Sequence, residues 1–150
     1  VPRAIKPVIG LSVFVNKDEY VLLARDYQGY IKLCNLSSAI NHNEKWNLED
    51  FASDHVTVIS KNKAPGFKSW IKDEDLAIHE SLFVSKSDFS KYKALLAINK
   101  GCLYDDIQDD KEIASKYLLT TEQAQKIFTD TQINRTNKFK LWINFAVIGN

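Results

Sequence analysis

A chain of 150 residues with 45% hydrophobic and 26% charged side chains has the size and composition of one globular domain with an ordinary core. Its net charge of +1 excludes a broad electrostatic pull on nucleic acid or acidic membranes and leaves room only for a local patch. Two cysteines, Cys34 and Cys102, exclude a disulfide framework, and the apolar run at residues 141–148 is too short to cross a bilayer.

Free thiols and the lack of a signal-peptide pattern point to the cytoplasm, with no membrane partner. There is no methionine, even at position 1. The expectation is that Val1 is not the natural start and that the chain is a single domain belonging to a longer polypeptide.

In chain order, residues 8–15 are almost unbroken Val, Ile, Leu and Phe around Gly10, which predicts a strand covered on both faces, with Ser12 as its one hydroxyl. "NKDE" predicts a turn, and residues 20–26 a second short strand. A helix is expected from about Gln28, capped by Asp26, with Tyr30, Leu33, Cys34 and Ser37 on its core-facing stripe. Residues 48–51 read as one helical turn and residues 55–60 as a strand. Pro65 and Gly66 mark residues 61–75 as a loop. Residues 76–84 read as a strand with its turn, followed by a helix from Ser87 to Asn99 that Gly101 ends. Thr120 and Gln123 have capping-box spacing before Ala124, Ile127 and Phe128. The tail from Phe139 reads as a last strand or as a stump. Strands alternating with helices predict an α/β fold with a mainly parallel sheet.

Few residues have the spacing of a chemical site. His42 and His55 stand on separate elements, as structural or exposed histidines. His79 and Glu80 form the only adjacent histidine–acid pair, a weak candidate for holding a metal. Asp105, Asp106, Asp109 and Asp110 lack the spacing of a calcium loop and read as a solvated acidic stretch. Lys61, Lys63, Lys68 and Lys72, with Phe67 and Trp70 among them, faintly resemble a surface for single-stranded nucleic acid.

Five stretches taken in order, "RAIKPVIGLSVFV", "EYVLLARDYQGYIKLCNLSSAIN", "WNLEDFASDHVTVIS", "LAIHESLFVSKSDFSKYKALLAINKGCLYDD" and "YLLTTEQAQKIFTD", resemble the PHP (polymerase and histidinol phosphatase) domain of bacterial replicative DNA polymerase III alpha subunits. The resemblance implies a distorted (β/α)7 barrel, here partial and lacking its first βα units. In active members, histidines and carboxylates at the strand ends hold metal ions that activate water. Ser12 stands where the family often has a glutamate ligand. Glu80 and Leu82 stand where it usually has an aspartate and a histidine. The resemblance thus implies vestigial metal positions at Ser12, Glu80 and Leu82, no catalytic residues, and no cofactor in this segment. It implies a non-catalytic support for template-directed DNA synthesis. Magnesium would belong to the polymerase domain of the parent chain. The implied partners are the rest of that chain, a proofreading exonuclease subunit, and DNA reached through the parent chain. Two alternatives stay open: a metal-dependent phosphoesterase or 3′–5′ exonuclease using His79 and Glu80, with His55, and a stand-alone interaction module.

Overall fold

The computed structural model describes residues 7–142. Asn16 and Lys17 both take positive φ, 51° and 74°, as a two-residue hairpin turn requires. The turn joins β1 (Gly10–Val15) to β2 (Asp18–Ala24) as an antiparallel pair, with Val13 opposite Tyr20. β3 (Val56–Ser60) pairs antiparallel with β2, and β4 (Trp70–Lys72) pairs parallel with β3. The sheet is mixed, four-stranded and open, in the order β1-β2-β3-β4.

That architecture overturns the expected partial (β/α)7 barrel and its mainly parallel sheet. A strand returning through a two-residue turn must run antiparallel, because a parallel neighbour needs a crossover of a dozen residues or more. Four short strands also cannot close a seven-stranded barrel. β4 lies inside the stretch read as a loop. Its three residues are strand only because β3 offers them a parallel edge.

Helix α1 (Tyr27–Asn41) starts at Asp26, whose side chain accepts the Gly29 N–H. It buries Gly29, Leu33 and Leu36, whereas Cys34 is exposed, so the core-facing stripe is rotated from the expected one. Leu33 and Leu36 belong to one core with Val13, Leu22, Ala24, Val56, Val58, Leu48 and Phe67. Leu22, Leu36, Val56 and Val58 are fully buried, each worth roughly 1.5–3 kcal/mol of transfer free energy. The strand covered on both faces is β3, every residue of which is buried. Thr57 meets that burial by sharing a hydrogen bond with the Ser69 hydroxyl at 2.8 Å. β1 is instead an edge strand with one face outward, and Phe14 is 67% exposed.

The chain divides into two compact units, one running to Leu76 and resuming at Asp130, the other spanning Ala77–Thr129. In the first, the helix at Asp130–Trp142 is tied by Arg135 to Asp75 at 2.7 Å and by the Gln132 amide to the Glu74 carbonyl at 2.9 Å.

Residues 76–84, which lead from the first unit into the second, do not form the expected strand. Among the described residues this stretch makes one bridge, Phe83 to Tyr117, supported by Leu82 N–H to Lys116 O and Leu118 N–H to Phe83 O. A single bridge cannot extend into a ladder. Helix α2 (Phe89–Lys100) follows a capping box between Ser85 and Asp88, and it ends at Gly101 with φ 64°. Two short helices follow, α3 (Lys111–Ala114) and α4 (Thr121–Ile127). The second carries the expected Thr120–Gln123 box. α5 (Asp130–Trp142) includes Phe139, so the tail begins as helix. Its remainder, residues 143–150, lies outside the described residues.

Candidate functional site

The most organised polar arrangement in the first unit lies where β2 ends and β3 begins. Antiparallel pairing brings those two ends together, and Arg25 N–H donates to the His55 carbonyl at 2.9 Å. The Arg25 guanidinium donates to the Asp54 carbonyl at 3.0 Å. Asp26 then holds two groups: one carboxylate oxygen accepts the Gly29 N–H at 3.0 Å, and the other lies 2.6 Å from His55 Nδ1. Gly29 is required there, since a Cβ would sit 2.1 Å from the His55 carbonyl oxygen.

Partial burial pushes the Asp26 carboxyl upward. The hydrogen bonds from His55 and Gly29, with the charge of His55, outweigh it and hold the group below the ordinary carboxylate value. An ionised Asp26 can only accept, so the Nδ1 of His55 carries the proton between them. An open cleft of about 350 Å³ is lined by Ser53, Asp54, His55, Gly66 and Lys68. Lys68 faces Asp54 at 3.4 Å. The arrangement can orient an imidazole for proton transfer, but His55 and Asp54 alone are too few to cage a metal ion. From the sequence, Asp26 reads as a cap and His55 as the start of a strand. Their separation of 29 residues carries no signal, because only strand pairing joins them.

The positions marked by the resemblance, and His79 beside Glu80, lie elsewhere. Ser12 donates its hydroxyl hydrogen to Glu19 across the hairpin. His79 Nε2 lies 2.8 Å from the Tyr117 carbonyl oxygen, and Glu80 pairs with Lys116 at 2.7 Å. The hydrogen bond to Glu80 is the main reason the Lys116 ammonium is held above its ordinary value. Leu82 is half-buried. Ser12 belongs to the first unit, and His79, Glu80 and Leu82 to the second. His42 Nδ1 lies 2.9 Å from the Ser38 carbonyl oxygen at the end of α1. Among the described residues no three His, Cys, Asp or Glu side chains gather as a metal-binding group.

In the acidic stretch, Asp106, Asp109 and Asp110 are committed to partners within the second unit. Asp106 accepts the Leu103 N–H at 3.0 Å, and Asp110 caps α3 by accepting the Glu112 N–H at 2.8 Å. Asp109 pairs with Lys93 at 2.9 Å, and the Lys93 ammonium also stands 4.6 Å from the centre of the Tyr104 ring. These groups border an open cleft of about 570 Å³ against α2. In the lysine-rich stretch, Phe67 is buried and the Trp70 indole donates to Ser60 Oγ at 2.9 Å. Lys68 and Lys72 face Asp54 and Glu74. The Phe67 ring is withheld in the core, while Trp70 is half-buried against it.

No family model matches the chain, and no solved structure matches it. Over 140 residues it is 26% identical to the DNA polymerase III subunit alpha of Ureaplasma parvum serovar 3 (strain ATCC 700970). The alignment covers 88% of this chain and 14% of that protein. The likeness to polymerase III alpha subunits, read above from five short stretches, therefore extends over most of the sequence. Among the described residues no helix is long and apolar enough to cross a membrane.

Proposed function

We propose that the chain is a non-catalytic, PHP-derived segment of a DNA polymerase III alpha-type polypeptide and supports template-directed DNA synthesis without carrying out hydrolysis itself. The observation that carries this reading is the similarity over 140 residues to a polymerase III alpha subunit. Nucleotidyl transfer, its catalytic aspartates and their magnesium belong, on this reading, to chain outside these residues. DNA and a proofreading exonuclease subunit would be reached through the same parent polypeptide.

The engagement of the resembling positions supports a structural role. A hydroxyl at Ser12 brings neither the charge nor the deprotonated oxygen of a carboxylate, and it is bonded to Glu19. Glu80 is occupied by Lys116, and Leu82 has no donor atom. What these residues supply is rigidity: the hairpin, the Phe83–Tyr117 bridge and the caps each hold a local shape.

The test is hydrolysis of single-stranded DNA and of a simple phosphomonoester by the natural polypeptide carrying these residues, with manganese or zinc supplied. Activity through this segment should be absent, so Glu80→Ala and His55→Ala leave every measured rate unchanged. Chelator-sensitive hydrolysis abolished by either substitution would establish the phosphoesterase reading in its place.

A further inference from the structure

β1 is a sheet edge with none of the usual protection. Its sequence, GLSVFV, has no charge and no proline, and its six residues pair with β2 in continuous register without a bulge. The Ala24 N–H donates to the Ile9 carbonyl at 2.9 Å, which fixes the phase of the ladder. Residues alternate in an antiparallel pair, so Leu11, Val13 and Val15 spend their backbone groups on β2. Gly10, Ser12 and Phe14 turn theirs outward. Among the described residues no strand meets that side. Near it, Phe14 is 67% and Val8 45% exposed.

We propose that this edge is completed by an extended segment of the same polypeptide, lying outside residues 7–142. The proposal rests on the reading of the chain as part of a polymerase alpha-type polypeptide. The alignment takes up 14% of the relative, so a chain of that kind carries about six times as much sequence again. Chemistry selects the occupant further. An uncharged edge favours an uncharged or alternating apolar strand, which places no unpaired charge beside Val13 and Phe14. A six-residue strand pair buries far less than the ~1,200 Å² or more of a stable interface between separate chains. A covalently attached strand needs no such area, because linkage supplies an effective concentration on the order of millimolar.

The experiment is hydrogen exchange of the natural polypeptide, resolved to single amides across residues 10–15, at two concentrations tenfold apart. The expected result is that the Ser12 and Phe14 amides exchange as slowly as those of Val13 and Val15, at both concentrations. If Ser12 and Phe14 exchange on the order of 100-fold faster than Val13 and Val15, the edge is open and the proposal fails. Protection that grows with concentration would assign the edge to a second copy and would also overturn it. Primer extension by the same sample reports separately on the polymerase reading, so failure of one does not hide failure of the other.

Discussion

At the scale of single residues, the tightest point is Gly29. Replacing it with alanine would push a Cβ to 2.1 Å from a backbone oxygen that belongs to the Arg25–His55 bond, and neither group can rotate away. Gly29→Ala should lower stability by about 2–3 kcal/mol, read from the denaturant midpoint. Gly101→Ala meets no neighbour within 4 Å but must hold φ 64°, so it should cost only about 1–2 kcal/mol. Charge is also read at this scale. Hydrogen bonds from Lys91, then from the Ser85 hydroxyl and backbone, pull the Asp88 carboxyl down to about 2 from 3.8. A depressed carboxyl binds fewer protons in the folded chain than in the unfolded one between those values. Its stabilisation is therefore complete above about 3.8 and lost as pH falls toward about 2. Acid titration followed by circular dichroism should show Asp88→Asn flattening the response of the native chain in that window. An unchanged profile would mean that the Ser85–Asp88 box does not hold the start of α2.

At the scale of elements, α1 gives the clearest comparison. Leu36 is fully buried and Cys34 exposed, so Leu36→Ala should cost about 2–5 kcal/mol while Cys34→Ala stays within about 0.5 kcal/mol. Equal costs would restore the stripe expected from the sequence. The reason for that shift also explains what was legible. Asp26, Gly101 and the Thr120–Gln123 pair were readable because capping is decided within a few residues. Tyr30, Leu33, Cys34 and Ser37 satisfied helical spacing equally well, but Gly29 must face His55, and that contact sets the rotation of the helix. β4 was hidden for a related reason: "WIK" has no strand pattern of its own and depends on the edge of β3. The apolar run of β1 suggested burial on both faces, yet half of it lies outward at an edge. The Asp26–His55 pair was invisible because nothing local connects residues 29 apart.

At the scale of the whole molecule, the two units differ in how much they bury. The first holds the sheet and the Leu22–Leu36–Val58 core, while in Ala77–Thr129 the buried residues are Lys93 and Ala97. Burial of apolar area is the main stabilising term, so amides of α2 and α4 should exchange faster than those of β3 by orders of magnitude. Comparable protection would show that the second unit is stabilised by something other than its own core. The most direct measurement is primer extension by the natural polypeptide as a function of temperature, with and without Leu22→Ala. Leu22 is fully buried in the sheet, with an apolar side chain. The account predicts magnesium-dependent extension, an unchanged rate at low temperature for the variant, and its inactivation several degrees earlier. A polypeptide that extends no primer at all, or an extension activity whose thermal limit ignores Leu22→Ala, would contradict it.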